Sequence, residues 1–311
     1  MTNGEGRAIT IANTDAIAAI SSGGCDISVG ADLFDHFRVE PGSHVDIRSI
    51  DPSYCAPHCS YETAVPELLS YRSRMDILQK VLYAERRHAL LIVLQGLDAG
   101  GKDGVVRHIL SSMNPAGCRA AAFRQPTKKE VAHDFLWRIH PHVPGRGEVV
   151  IFNRSHYEDV LVVRVHQLVP PHVWAKRYEL INDFEKLLVR ESNTTILKFF
   201  LHISKDEQLA RFRQRLEDPT RRWKISEADY QERTYWDDYA TAFQDMLQKT
   251  STRHAPWFVI PSDQKWFRDL AISQIVTRTL EELHMQVPET AVDIEHIRRR
   301  HHAAELEAKA S

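Results

Sequence analysis

Short apolar runs alternate with helix-like segments along the central part of the chain. Between residues 62 and 87, apolar positions recur every three or four residues, which is the period of one helix face. Five later runs are apolar without polar alternation, as in strands that are buried on both faces of a sheet. These runs are 89–94, 120–123, 149–152, 196–201 and 257–260. Such strands are normally parallel and joined by helical crossovers, so the pattern predicts a doubly wound α/β fold.

The two ends of the chain lack this alternation. Residues 1–34 are rich in Gly, Ser, Ala and Thr without sustained periodicity, and we interpret them as a flexible N-terminal extension. Residues 288–311 are charged, with a basic run at 298–302, and are interpreted as a solvated helical tail rather than a binding patch. We expect residues 35–287 to form one main domain, because doubly wound folds often use this length for a single domain.

Composition narrows the class of protein. The 311 residues are 43% hydrophobic and 26% charged, as in ordinary globular proteins. A formal net charge of -2 argues against a nucleic-acid partner, so any polyanion must meet a local cluster of cations. No apolar run approaches the roughly 20 residues of a membrane span, and the N-terminus lacks the order of a secretory signal. We expect a cytoplasmic protein without a membrane partner. We expect free thiols at Cys25, Cys55, Cys59 and Cys118, which are too scattered for a disulfide scaffold.

A phosphate-binding motif follows the first apolar run. The spacing G-x-x-x-x-G-K occupies 96–102, and helical spacing continues beyond it. Glycines let backbone N–H groups approach phosphate oxygens, the helix N-terminus adds positive partial charge, and Lys102 supplies a cation. The alternative is a glycine-rich turn that merely closes a βα unit. The motif favours a phosphotransferase whose phosphate-binding loop comprises Gly96, Ala99, Gly100, Gly101, Lys102, Asp103 and Gly104.

Two acids make this loop unusual. Asp98 lies inside it, and Asp103 stands where Ser or Thr usually follows the lysine. Carboxylates beside phosphates repel them unless a cation intervenes. The acids therefore imply Mg²⁺ at the site or a role in steering the acceptor oxygen.

A second polar segment follows the strand predicted at 149–152. A carboxylate at this point normally helps to hold Mg²⁺, but the residue is Asn153. Glu158 and Asp159, about one turn later, are candidates for the metal role. They are equally compatible with helix N-terminal acids that the helix dipole favours. Arg154 is expected to face the phosphates.

A basic segment at about 208–230 is predicted to be a mobile lid, because closing lids commonly complete phosphotransfer sites. Phosphoryl transfer requires cations that neutralise negative charge along the transferring groups. The alternative is a basic surface turn. The candidate phosphate-binding cations of the lid are Arg211, Arg215, Arg221, Arg222 and Lys224.

Together, the loop at 96–104, the segment at 152–159 and the basic turn at 221–224 resemble polyphosphate kinase family 2. The resemblance extends over roughly residues 37–286. It implies a P-loop nucleotide-kinase-like parallel sheet of five strands with a helical lid. It also implies a Mg²⁺-dependent, reversible transfer of the terminal phosphate of inorganic polyphosphate to a nucleotide, by a homo-oligomer (dimer or tetramer).

Two positions indicate the class within that family. The first two classes typically carry Asp at the position of Asn153 and Asn at the position of Glu158, so this chain resembles the third class. The resemblance implies AMP and ADP as acceptors, GMP and GDP as further candidates, and ADP and ATP as products. By the same resemblance, Asp98 and Asp159 bind Mg²⁺ or orient the acceptor, while Lys102 and Arg154 bind phosphate. The predicted catalytic set is Asp98, Lys102, Arg154 and Asp159.

Two other functions compete with this prediction. An ATP-dependent nucleoside or nucleotide kinase would share the loop and the lid, although Asp98 and the pattern from Asn153 to Asp159 argue against it. A non-catalytic phosphate- or nucleotide-sensing module would bind these ligands without turnover. Base preference, reaction direction, donor chain length and the division of Mg²⁺ ligands among the acids stay open.

Overall fold

The computed structural model describes residues 32–58, 60–289 and 292–310. The predicted N-terminal extension lies outside the described residues up to position 31, as do Cys25 and Cys59. Cys55 and Cys118 are free thiols, as predicted. The division into extension, domain and tail stays a prediction.

Six strands of the described residues form one sheet in the order β1-β6-β5-β2-β4-β3. They are β1 Arg38–Val39, β2 Ala89–Gln95, β3 Cys118–Ala122, β4 Val149–Asn153, β5 Thr194–His202 and β6 Trp257–Pro261. Strands β2 to β6 pair in parallel, and each overlaps a strand predicted from the sequence. The predicted five-stranded parallel sheet is therefore confirmed. Strand β1 pairs antiparallel with β6 and was not predicted, because two residues are too few to show a pattern.

Helices cover both faces of this sheet. In chain order they are α1 Leu33–Phe37, α2 Tyr61–Glu85, α3 Lys102–Leu110, α4 Lys128–Val131, α5 Val162–Val165, α6 Pro171–Ser192, α7 Lys205–Glu217, α8 Glu227–Thr234, α9 Trp236–Thr250, α10 Lys265–Glu282 and α11 Ile294–Ala310. Short 3-10 turns include His156–Asp159 and Arg222–Lys224. None of the described helices combines the length and the apolarity that a membrane span requires.

Strand β2 shows why the sheet is apolar throughout. All seven of its residues are buried. Leu91 and Val93 belong to a core that includes residues of α6 and α9, whereas Leu90 and Ile92 belong to a core that includes residues of α2, α3 and α10. Successive side chains of a strand point to opposite faces, so both faces need apolar residues.

The ends of the described chain differ in burial. Leu33 and Phe34, which the sequence analysis assigned to the extension, are buried in the core beside α10. By contrast, the described side chains of α11 are exposed.

The sheet places the predicted functional segments side by side. Strands β2 and β4 are neighbours in register, with Leu94 opposite Asn153. The backbone N–H of Arg154 donates to the Leu94 carbonyl at 3.1 Å. In parallel sheets, ligands bind outside the carboxyl ends of the strands, and the loops after β2 and β4 meet at this edge.

Candidate active site

The predicted phosphate-binding loop connects β2 to α3, and close contacts require glycine at two of its positions. A Cβ atom at Gly96 would lie 2.8 Å from the carbonyl oxygen of Leu201. At Gly101 the backbone has φ +106°, and a Cβ atom would lie 2.0 Å from Nη1 of Arg268. Side chains are excluded at both positions, which keeps the loop closed against β5 and α10.

Lys102 is the first residue of α3 and is buried. Its Nζ donates to the carbonyl oxygens of Gly96 at 2.5 Å and Leu97 at 3.1 Å. Burial, reinforced by the charge of Arg154, lowers the pKa of Lys102 to about 8. The ammonium group is thus held inside the loop by two carbonyl groups.

Arg154 connects two acids of the site. Its Nη2 lies 2.7 Å from Oδ1 of Asp98, and its Nη1 lies 3.6 Å from Oε2 of Glu158. Arg154 has φ +62°, a left-handed conformation immediately after β4. Burial raises the pKa of Glu158, against the opposing charges of Arg154 and Lys102. The sequence predicted all three residues as site residues, and the structure brings them together.

Asp103 joins the loop to the predicted lid. Its Oδ1 accepts from Nδ2 of Asn153 at 2.8 Å, and its Oδ2 lies 3.1 Å from Nζ of Lys224. Although burial opposes the change, these two hydrogen bonds lower the pKa of Asp103. The carboxylate therefore stays charged and connects the end of β4 to the turn Arg222–Lys224.

Asp159 faces a different partner. Its Oδ1 accepts from Nη1 of Arg177 at 2.8 Å. Burial raises the pKa of Asp159 to about 6, while the charges of Arg177 and Arg138 act in the opposite direction. Asp159 lines neither of the cavities described next. The pairing of Asp98 with Asp159 around Mg²⁺ stays a prediction, and the contacts instead bring Asp98 and Glu158 to one arginine.

A groove of about 1190 Å³ runs across the loop, and we call it the cationic groove. Its cations come from the loop, from the ends of β3 and β4, from the lid and from α10. They are Lys102, Arg107, Arg124, Arg154, Arg211, Arg215, Arg221, Lys224, Lys265 and Arg268. The acids of its lining are Asp98, Asp103, Asp229 and Asp269. This lining fits a polyanion.

A second cavity of about 240 Å³, the small cavity, shares Asp98 and Arg154 with the groove. Its apolar and aromatic lining residues are Leu97, Leu161, Val162, Trp236, Tyr239 and Phe243. Its polar lining residues include Glu158, Gln208, Glu232 and Arg233. An apolar pocket with a few convergent polar groups is typical of small-molecule sites.

The lid cations differ in their positions. Arg211 is buried and donates from Nη1 to the carbonyl oxygen of Ala99 at 2.8 Å, which ties α7 to the loop. Arg215 donates to the carbonyl oxygen of Lys224 at 3.0 Å. Trp223, at the lid turn, is 78% exposed and lines the groove, so it has room for a ligand contact.

Two predicted phosphate-binding residues line neither cavity. They are Gly100 and Arg222. A Cβ atom at Gly100 would lie 2.9 Å from the Leu97 carbonyl oxygen, so this glycine serves the turn itself. Arg222 donates from Nε to the carbonyl oxygen of Leu216 at 2.9 Å, along the lid.

Sequence reasoning missed four groove cations, Arg107, Arg124, Lys265 and Arg268. None belongs to a motif. Lys265 and Arg268 begin the helix that follows β6, whose carboxyl end lies at the same edge of the sheet as the loop. Lys265 and Arg268 could have been found from the sequence as basic residues that directly follow a predicted parallel strand.

Comparisons with known proteins agree on one family. The family model described as Polyphosphate kinase 2 matches residues 59–288. An AMP/ADP-polyphosphate phosphotransferase of Meiothermus ruber is 49% identical over 254 residues, covering 81% of this chain and 95% of the relative. An ADP-polyphosphate phosphotransferase of Rhodopseudomonas palustris is 43% identical over 270 residues, covering 82% and 92%. The crystal structure of polyphosphate kinase 2 from Arthrobacter aurescens superimposes with a TM-score of 0.82 at 39% identity, covering 86% of this chain and 95% of that one.

Proposed function

The chain belongs to the polyphosphate kinase 2 family, and from this premise we propose that it transfers the terminal phosphoryl group of inorganic polyphosphate to AMP and ADP. One observation carries the proposal: the cationic groove and the small cavity meet at Asp98 and Arg154. A polyanionic donor and a nucleotide acceptor thus have separate sites with a common wall.

The donor occupies the cationic groove. Inorganic polyphosphate has negative charge along its whole length and no apolar part, so it needs cations rather than an apolar pocket. The groove supplies them from both the loop and the lid, while the formal net charge of the whole chain is only -2. Positive charge is therefore concentrated in the groove that we propose for the donor.

The acceptor occupies the small cavity. Trp236, Tyr239 and Phe243 offer aromatic surface to a base, and every base has a π-face for stacking. Arg154 and Asp98 stand at the opening to the groove, where the acceptor phosphate meets the donor end. Both AMP and ADP are acceptors in this proposal, as the resemblance to the third class implies.

The reaction is an in-line displacement. An oxygen of the acceptor phosphate attacks the terminal phosphorus of the donor and forms the new P–O bond. The bond from that phosphorus to the bridging oxygen breaks, and the shortened chain leaves with the electron pair. Lys102 and Arg154 neutralise charge on the transferring group, and Arg154 also orients Asp98. No covalent intermediate with the protein forms.

The acids fit Mg²⁺ that is bound mainly by phosphate oxygens. Such sites use one or two protein carboxylates, and the structure brings Asp98 and Glu158 to the same Arg154. No cluster of three or more His, Cys, Asp or Glu suited to a metal occurs in residues 32–58, 60–289 and 292–310. We propose Asp98 as the main ligand, with Glu158 or Asp159 as the second. When bound, the metal supplies positive charge to the phosphates.

Three further properties belong to the proposal because they rest on the sequence alone. They are a homo-oligomeric assembly, a cytoplasmic location and reversibility of the transfer. Light scattering of the purified protein tests the first of them.

The direct test incubates purified protein with AMP or ADP, Mg²⁺ and long-chain polyphosphate, and follows ADP and ATP by chromatography. Turnover with both acceptors is expected. A folded protein without turnover would exclude the proposal and favour a sensing module. Replacing polyphosphate by ATP separates the remaining rival, since an ATP-dependent kinase would phosphorylate AMP or a nucleoside with ATP alone.

A further inference from the structure

Two sets of groove cations differ in their partners. Those of the lid and of β4 face carboxylates: Arg154 faces Asp98, Lys224 faces Asp103, and Arg221 lies 2.9 Å from Asp218. A second group, from α3 and α10, consists of Arg107, Lys265 and Arg268. We call these three residues the α3–α10 cations.

Two of the α3–α10 cations have unmatched positive charge, and the third, Arg268, forms an ion pair with Asp269 but keeps one donor unused. Within the described part of the chain, Arg107 and Lys265 have no ion pair and no side-chain hydrogen bond. Arg268 uses Nε and Nη2 on Asp269, at 2.9 and 2.7 Å, while its Nη1 has no hydrogen-bond partner among the described residues. Three cations on one wall therefore present donors to the groove.

Arg268 is the anchor of this group. The residue is 3% exposed, yet it lines the groove, and its Nη1 lies against Gly101 at the start of α3. A buried guanidinium that keeps one donor unused beside a helix N-terminus forms an anion site, since both the charge and the N–H groups attract phosphate.

Repulsion among cations of the groove agrees with this geometry. Burial lowers the pKa of Lys265, and the charges of Arg211, Arg268 and Arg221 lower it further, against the opposing charge of Glu207. Cations that repel one another gain stability when an anion lies between them.

We propose that Arg107, Lys265 and Arg268 bind those phosphates of the polyphosphate donor that are not transferred, so that they set its preference for long chains. This inference rests on the proposed function. The chemistry favours phosphate alone over a nucleotide, because the lining residues from α3 and α10 include no Phe, Tyr or Trp, whereas the small cavity contains three. The two such residues of the groove lining, Phe123 and Trp223, come from other elements. The phosphates next to the reacting one lie at the loop, the lid and Arg268, which contacts Gly101, and the more distant ones reach Arg107 and Lys265.

The experiment compares two donors, long-chain polyphosphate and tripolyphosphate, with ADP as acceptor. In an Arg107→Gln/Lys265→Gln double variant, the ratio of kcat/KM for the long chain to kcat/KM for tripolyphosphate falls about 10- to 100-fold, since each of the two lost phosphate contacts is worth about a factor of three to ten. Arg268 stays unchanged because its replacement would disturb the loop. The matched control is Arg213→Gln, an exposed cation of α7 outside both cavities, which leaves the ratio unchanged.

The outcomes separate this inference from the function on which it rests. Equal losses with both donors, or a ratio like that of the control, would overturn the subsite while leaving the wild-type activity as evidence for the function. A wild-type protein that transfers from neither donor would instead overturn the proposed function. A raised KM for the long chain, with an unchanged KM for ADP, supports the subsite.

Discussion

Lys198 and Glu185 form an ion pair in which neither side chain is exposed, with 2.6 Å between Nζ and Oε2. Lys198 also donates to the hydroxyl oxygen of Tyr157 at 2.9 Å and to the carbonyl oxygen of Thr250 at 2.7 Å. The Tyr157 hydroxyl in turn donates to Oε1 of Glu185 at 2.7 Å. Because Tyr157 belongs to the turn His156–Asp159, the buried pair fixes the segment from which Glu158 reaches Arg154.

Breaking this pair on one side should strongly destabilise the protein. Lys198→Met leaves the Glu185 carboxylate buried without the ammonium group that balances its charge, so the free energy of unfolding should fall by about 3–5 kcal/mol. Lys198→Met/Glu185→Leu should cost less than the single change, because no charge is then buried. Urea denaturation measures the free energy of unfolding of both variants. The control Lys249→Met removes a half-exposed pair with Asp245 and should cost at most about 1 kcal/mol. A Lys198→Met variant as stable as wild type would contradict this account.

Asp98→Asn should abolish turnover in a folded protein. The substitution removes the proposed metal ligand and the partner of Arg154, and we expect kcat to fall by at least about 100-fold, since metal-assisted charge stabilisation is worth several kcal/mol. Removing Mg²⁺ with EDTA should produce a similar loss in the wild type. Asp206→Asn, at the exposed start of α7, is the control and should retain activity. An active Asp98→Asn variant would exclude the metal role.

Burial lowers the pKa of Lys102 to about 8, and this value predicts a loss of activity on the alkaline side of the pH profile. The ammonium is charged below that pKa and neutral above it, so kcat/KM for polyphosphate should fall as pH rises through about 8. A Lys102→Arg variant keeps its charge at high pH, and its residual activity should lack this decline. Stopped assays from pH 6 to 10 measure both profiles, and a flat wild-type profile in this range would refute the assignment.

Trp236→Leu should weaken acceptor binding without affecting the donor. Stacking of a base on an aromatic ring is worth about 1–3 kcal/mol, so KM for ADP should rise by roughly 5- to 150-fold. KM for polyphosphate should not change, because Trp236 lines only the small cavity. Trp137→Leu, a partly exposed tryptophan outside both cavities, provides the matched control. Equal effects on both KM values would place the acceptor elsewhere.

The sequence predicted the parallel sheet because its signal is local. Each parallel strand is an apolar run that carries its own pattern, as in β2, where all seven residues are buried. The antiparallel strand β1 has two residues, and its pairing with β6 depends on parts of the chain more than 200 residues apart. No local pattern encodes such a contact.

The candidate site residues that belong to a sequence motif could be predicted. Those that folding brings in from distant parts of the chain could not. Lys102 and Asp98 lie in one loop, and Arg154 follows the neighbouring strand. The direction of a carboxylate, however, depends on packing: Glu158 faces Arg154, whereas the adjacent Asp159 faces Arg177. Arg268 reaches Gly101 across 167 positions of sequence, so only the folded chain shows the contact.

The cationic groove and the small cavity share Asp98 and Arg154 and otherwise have different walls. This separation has an evolutionary consequence. Under the proposed assignment of donor and acceptor, substitutions in α8 and α9 would change which nucleotide is accepted, while the groove proposed for the donor would stay the same. A lineage would then diversify its acceptors in small steps, each of which preserves the use of the same phosphoryl donor.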